Sequence, residues 1–363
     1  MVQEKVRIRR DIETMDAYTP TTSLDVFAER LGIDADKLIK LDANENPFGP
    51  SPRVIKALAA LPNMHVYPDP ESGRLRDLLA DYTGVPAEQI LCGAGADELI
   101  ELIMQLFIEP GDVIINTPPT FAMYSFNAPL YHARVCDVYR RADFSIDVAA
   151  IGEAVSRYDA KLVFLCSPNN PSGNLISRDD IEALLDLPAT IVIDEAYIEF
   201  ATRESLAPLV MDRPNLILLR TLSKWAGLAG LRIGYGLFPR ALMPQLWKIK
   251  QPYNVNVAAD LAACASLEDV DYLLERVHQL VQQRERLESA FAELPYLSPY
   301  PSQANFVLNR VRGMAAGDLR DKLARAGIIV RYYNTARLDD CIRISAGLPA
   351  QVDRLLDVLR RLR

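Results

Sequence analysis

Apolar residues along this chain fall into short, nearly unbroken runs separated by stretches with helical spacing. Val113-Ile114-Ile115, Ala133-Arg134-Val135-Cys136, Leu162-Val163-Phe164-Leu165-Cys166, Thr190-Ile191-Val192-Ile193 and Leu216-Ile217-Leu218-Leu219 read as strands. The last is wholly apolar, the pattern of a strand buried on both faces. Between them lie helical patterns such as 148–155 and 178–185. Such alternation predicts an α/β layer fold with a mainly parallel central sheet flanked by helices. From about residue 255 the pattern changes: a long charged helix over 267–294, strand candidates at 305–309, 328–331 and 341–345, then a last helix from Ala350. These predict a second, smaller α+β domain. The expected division is an N-terminal arm at 1–44 that joins the small domain, a large domain at 45–254 and the small domain at 255–363.

Composition narrows the classes. Half of the 363 residues are hydrophobic and 24% are charged, the balance of a globular protein with a large core. A formal net charge of −8 argues against nucleic acid as a partner, because phosphate backbones select basic surfaces. The five cysteines are scattered without a CxxC pair, and the three histidines (His65, His132, His278) have no ligand spacing. A disulfide framework, a zinc site and a histidine-based triad are therefore not expected. No signal peptide opens the chain and no apolar run is long enough for a bilayer, so a cytoplasmic location is expected.

One loop and one turn carry candidate chemistry. Leu41-Asp42-Ala43-Asn44-Glu45-Asn46-Pro47-Phe48-Gly49-Pro50 is rich in residues that break regular structure, either a domain-joining loop or a loop at the mouth of a cleft. A short strand at 89–92, the turn Gly93-Ala94-Gly95-Ala96-Asp97 and an apolar helix over 98–107 form a strand–glycine loop–helix unit. That unit aims free backbone N–H groups at an anion, although the pattern is neither GxGxxG nor a P-loop. Asp97 would otherwise serve as a helix N-cap.

Three consecutive apolar runs end in distinctive polar groups, and ligands of open parallel sheets bind at the carboxyl ends of the strands. The run 162–166 ends in Ser167-Pro168-Asn169-Asn170-Pro171-Ser172-Gly173, the run 190–193 in Asp194-Glu195-Ala196-Tyr197, and the run 216–219 in Thr221, Ser223 and Lys224. Lys224 has mostly apolar sequence neighbours, which would lower its pKa and leave a neutral amine able to attack an aldehyde. An amine, a carboxylate, an amide and a phenol on one rim are the set that pyridoxal phosphate requires. Lys224 would take the aldehyde, and Asp194 would pair with the pyridine nitrogen. Asn170 and Tyr197 would bond the phenolic oxygen. Arg232, Ser223, Thr221 and the loop at Ala96-Asp97 would hold the phosphate, and Phe121 would supply a stacking face.

The motifs LDANENPFGPS, VYPDP, GADELIELI, PPTFAMY, CSPNNPSGNLI, IDEAYIEF, LRTLSKWAGLAGLRIGYG and CIRISAG occur in this order over nearly the whole chain. Together they resemble the fold-type I pyridoxal-phosphate aminotransferases, and within them the histidinol-phosphate aminotransferase family. Three positions depart from the family pattern: Pro171-Ser172-Gly173 for the usual PTG, Phe121 for the usual stacking tyrosine, and Trp225-Ala226 after the lysine. The resemblance implies a homodimer with active sites at the subunit interface, with Tyr67 reaching the partner's cofactor phosphate and Tyr18 bordering the substrate. It implies that Arg343, aided by Arg331, binds the anionic end of each substrate, a phosphate ester in one half-reaction and a glutamate carboxylate in the other. The expected reaction is transamination of L-histidinol phosphate with 2-oxoglutarate to imidazole acetol phosphate and L-glutamate. Aromatic amino-acid transamination and threonine-phosphate decarboxylation are the alternatives on the same fold. A cofactor-sensing regulator is disfavoured, since no helix-turn-helix precedes the fold and the net charge is acidic.

Overall fold

The computed structural model describes residues 8–18, 21–61 and 63–362. Twelve strands follow in chain order. They are β1 (Ile39–Leu41), β2 (Ile90–Gly93), β3 (Val113–Asn116), β4 (Arg134–Asp137), β5 (Leu162–Cys166) and β6 (Thr190–Asp194). The rest are β7 (Leu216–Thr221), β8 (Gly234–Leu237), β9 (Leu297–Pro299), β10 (Phe306–Val311), β11 (Ile328–Tyr332) and β12 (Cys341–Ser345). Seven form one sheet in the order β2-β8-β7-β6-β5-β3-β4, and five form a second in the order β1-β11-β12-β10-β9.

The large sheet is parallel from β7 through β6, β5 and β3 to β4. β5 and β7 are buried at every position, as both-face burial between helical layers demands. Two apolar clusters cover its faces, one including Leu165, Ile193 and Leu218, the other Phe164, Val192 and Ile217. Alternate residues of one strand serve opposite faces, which explains the unbroken apolar runs.

β8 runs antiparallel between β2 and β7 and had no signal in the pattern of apolar runs. Its sequence, Gly234-Tyr235-Gly236-Leu237, is glycine-rich, and glycine is depleted in strands. Gly234 is required by space, since a Cβ there would stand 2.6 Å from the Ala96 nitrogen. The bare backbone lets the start of helix Ala96–Phe107 sit directly against the start of β8.

The long helix expected over 267–294 is Val270–Ala292, and a separate helix, Val257–Leu267, precedes it. Glu268 stands at the break and its carboxylate pairs with both Arg53 and Arg74, anchoring the junction to Pro52–Ala59 and Gly73–Thr83. β7 also extends further than its apolar run. Arg220 lies inside the strand, 5% exposed, with its charge answered by Glu199 at 2.6 Å. Burying an arginine requires such a partner.

In the second sheet β1 pairs parallel with β11, so the chain segment ahead of Asp42 is stitched to the C-terminal strands. β9, β10, β12 and β11 pair antiparallel. Among the described residues, no helix is long and apolar enough to cross a membrane.

Candidate active site

The carboxyl ends of β5, β6 and β7 lie side by side, and each passes directly into a polar turn. Asp194 is the last residue of β6, 4% exposed. Its Oδ2 accepts from the Tyr124 hydroxyl at 2.7 Å and its Oδ1 from the Ala196 N–H at 3.0 Å. Burial raises its pKa to about 6, an effect that these two hydrogen bonds only partly oppose. The acid is thus oriented and desolvated, and among the described residues no cationic side chain pairs with it.

Lys224 follows β7 by three residues. Its Nζ donates to the Ala43 carbonyl at 3.2 Å. Its pKa falls to about 8, first through desolvation and then through the positive charge of Arg343 and, more weakly, Arg232. The turn that bears it is clamped. Trp225 is fully buried and stacked on Tyr82, with centroids 5.3 Å apart, and its carbonyl accepts from Asn46 Nδ2 at 2.9 Å. The loop at 42–46 is therefore part of the site.

Arg343, on β12, is 5% exposed. Its Nη1 donates to Asn170 Oδ1 at 2.5 Å and its Nη2 to the Asp42 carbonyl at 2.6 Å, while its guanidinium lies over Phe306 and Tyr333. With Oδ1 of Asn170 engaged, the amide's NH2 is the end left for a ligand. Arg331 stands directly opposite Arg343 across β11 and β12, over the Tyr333 ring at 5.4 Å. Tyr18, 42% exposed, sits edge-on to Phe126 at 5.8 Å.

The anion-facing turn is also assembled. Helix Ala96–Phe107 begins at the N-cap Gly95, so Asp97 lies in its first turn and is not the cap. Arg232 Nη2 pairs with Asp97 Oδ2 at 2.8 Å, an exposed contact of the kind worth little in water. Thr221 and Ser223 differ in what they can offer. Thr221 Oγ1 donates to the Ile233 carbonyl at 3.2 Å and accepts from the Ser223 N–H at 3.0 Å, shaping the turn with its proton spent. The Ser223 hydroxyl has no such engagement among the described residues.

Phe121 meets Tyr124 edge-on at 5.5 Å, and Tyr124 in turn stacks on Phe164. Tyr197 is buried, with its ring against Phe306 and its oxygen accepting from Asn44 Nδ2 at 3.0 Å. Tyr67 joins none of these contacts. It is 77% exposed and stacked on Tyr253 at 4.5 Å, beside Met64 and Val66, which are also exposed. Asn44 and Tyr124 were not among the expected site residues, although both touch residues that were.

This geometry finds close parallels in known proteins. The model of the aminotransferase class I and II family matches residues 36–359. A histidinol-phosphate aminotransferase of Roseiflexus castenholzii is 54% identical over 361 residues, covering 97% of each chain. The chain belongs to the histidinol-phosphate aminotransferase family. A chloroplastic member from Nicotiana tabacum is 47% identical over 97% of this chain and 86% of its own. The crystal structure of the family member from Sinorhizobium meliloti, in complex with pyridoxal-5'-phosphate, superposes with a TM-score of 0.89 at 32% identity over 98% of both chains. The architecture is that of the fold-type I aminotransferases.

Proposed function

We propose that this chain is a pyridoxal-phosphate-dependent aminotransferase that converts L-histidinol phosphate and 2-oxoglutarate to imidazole acetol phosphate and L-glutamate in histidine biosynthesis. The observation that carries the chemistry is Lys224, an amine lowered to about 8, held by the Ala43 carbonyl and borne on the turn after β7, the strand paired with the β6 that ends in the buried acid Asp194. Near neutral pH a usable fraction of that amine is unprotonated and nucleophilic. The surrounding residues fit the cofactor. Asp194 is ready for a pyridinium proton, the Asn170 NH2 and the Tyr197 hydroxyl retain hydrogens for a phenolic oxygen, and the helix N-terminus at Ala96-Asp97 with Arg232, together with the Ser223 hydroxyl of the turn after β7, suits a phosphate. When bound, pyridoxal phosphate supplies an aldehyde that carries the amino group and a ring that draws electrons from the substrate's Cα.

The protein's own part is to position groups and move protons. Asp194, ionised once it faces a cation, keeps the ring nitrogen protonated. Lys224 Nζ would take the proton from the substrate's Cα and, as an ammonium, pass it to the carbon on the other side of the transferred nitrogen, which requires an amine whose pKa lies near working pH. Arg343 and Arg331 present two guanidinium forks to the substrate's phosphate or carboxylate, and planar forks accept either anion bidentately. Phe121 packs against the ring face. Residues 45–254 carry the cofactor and 255–363 the anion-binding arginines. The exposed group Tyr67, Met64 and Val66 suits a second copy of the chain, with Tyr67 extending to that copy's phosphate site. The five cysteines are free thiols, in keeping with a reducing compartment such as the cytoplasm.

The test is the visible absorbance of the cofactor-loaded protein during titration with histidinol phosphate, phenylalanine and threonine phosphate in parallel. Conversion at far lower concentrations of histidinol phosphate is expected. Preference for phenylalanine would assign aromatic transamination, and carbon dioxide release from threonine phosphate would assign decarboxylation. DNA retention at moderate salt with no turnover would indicate a regulator.

A further inference from the structure

Asn44 is 1% exposed and holds φ at +55°, in the left-handed region that asparagine enters more readily than most residues. Four hydrogen bonds of 3.0 Å meet on it. Its backbone N–H donates to Ser345 Oγ, Ser345 Oγ donates to its Oδ1, its Nδ2 donates to the Tyr197 oxygen, and its carbonyl accepts from Asn305 Nδ2.

The hydrogens in this ring can be counted. Ser345 has a single hydroxyl hydrogen. Its oxygen accepts from the Asn44 backbone, and its hydrogen goes to the Asn44 amide oxygen, which orients the side chain. The other end of the amide is then NH2, which only donates, and it points at Tyr197. The Tyr197 oxygen is therefore an acceptor in this contact, with its own hydrogen unspent. No acceptor for it stands among the described residues. Burial pushes the Tyr197 phenol above its ordinary range, so the hydrogen stays in place at working pH.

We infer that Asn44 is a positioning residue for catalysis: by donating to Tyr197 it directs the tyrosine's proton away from the 42–46 loop and into the cofactor site. This rests on the reading above in which Tyr197 donates to the cofactor's phenolic oxygen. The loop is held rigidly enough for the task. Its three consecutive carbonyls, at 42, 43 and 44, accept from Arg343, Lys224 and Asn305 respectively. An aspartate at 44 would tolerate the same backbone and keep the size, yet would offer Tyr197 an acceptor. The hydroxyl would then turn toward the loop.

The experiment is a pH titration of the visible absorbance of cofactor-loaded protein, which follows the charge on the chromophore, in wild type, Tyr197→Phe, Asn44→Asp and the double variant. Tyr197→Phe should raise the midpoint by about one unit, through loss of a hydrogen bond to the charged form. Asn44→Asp should raise it by a similar amount, and the double variant no further than Tyr197→Phe alone. Asn44→Gly, which keeps the backbone conformation and removes the amide, should shift it less than Asn44→Asp. An unmoved midpoint in Tyr197→Phe would remove Tyr197 from the phenolic oxygen and take the underlying reading with it. A shift in Tyr197→Phe with none in Asn44→Asp would overturn the role of Asn44 alone. So would an Asn44→Asp shift that persists in full on top of Tyr197→Phe, because it would report only the added charge.

Discussion

Arg331 and Arg343 are direct cross-strand partners, their Cα atoms paired in the antiparallel ladder of β11 and β12. Like charges facing each other across strands repel, and repulsion is relieved when an anion sits between them. Tyr333 lies under both guanidiniums, at 5.4 and 5.8 Å, and offsets part of the repulsion by presenting its ring face.

Inorganic phosphate should therefore raise the thermal midpoint of the protein, and Arg331→Gln or Arg343→Gln should blunt that rise. In turnover, Arg343→Lys keeps the charge but loses the fork that reaches both Asn170 and Asp42. A loss of about 10- to 100-fold in kcat/KM is expected, the scale of one or two charge-assisted hydrogen bonds. Equal phosphate response in all three proteins would remove the pair from anion binding.

Lys224 sets a pH dependence of cofactor capture. With a pKa of about 8, its neutral fraction grows about tenfold per unit below that point and levels off above it. The rate at which apo-protein takes up pyridoxal phosphate, followed by absorbance, should rise in the same way between pH 6 and 8. Lys224→Ala should lose the pH-dependent capture and nearly all turnover, while Arg343→Gln should move the inflection upward by removing a nearby positive charge. A flat profile in wild type would mean that the amine is not the group captured.

Much of this site was legible because buried strands announce their ends. Asp194 and Lys224 each follow an apolar run in a parallel sheet, and the topology then places both on one rim. Asn44 and Tyr124 were not legible, and the reason is distance along the chain. Asn44 acts through Tyr197 and Ser345, 153 and 301 positions away, and Tyr124 through Asp194, 70 positions away. Alone, Tyr124 reads as a core aromatic and Asn44 as a loop residue. β8 escaped for a local reason, since its two glycines erase the apolar alternation that marks a strand.

Asp194 carries an energetic cost that the apo-protein should reveal. Its folded pKa, about 6, lies above the ordinary carboxyl value of 3.8. Its stabilising contribution is therefore complete below about pH 4 and is lost as pH rises through about 6, on the order of 3 kcal/mol in total. Asp194→Asn cannot ionise. The apo wild type should lose stability relative to apo Asp194→Asn across pH 4 to 6, measured by chemical denaturation, and the cofactor should narrow the gap above pH 6 by supplying a cation. Parallel pH profiles for the two apo-proteins would show that Asp194 is not desolvated. The variant should retain the Lys224 amine yet lose most turnover.

Gly95 offers the sharpest separation between folding and cofactor binding. It holds φ at +84°, and a Cβ added there would stand 2.4 Å from Arg232 Nη2. Gly95→Ala therefore strains the backbone and pushes the arginine off the N-terminus of helix Ala96–Phe107. Gly32 is a suitable control, with φ at +63° and nothing within 4 Å of an added Cβ. Gly32→Ala, in the ordinary left-handed region, should cost about 1 kcal/mol of stability, and Gly95→Ala, whose ψ of 167° lies where only glycine is at ease, up to about 3 kcal/mol. Only Gly95→Ala should weaken pyridoxal phosphate binding, about tenfold or more in Kd by equilibrium dialysis, because only there is a phosphate-binding side chain displaced. Equal cofactor affinity in the two variants would detach Arg232 and the Ala96-Asp97 turn from the phosphate.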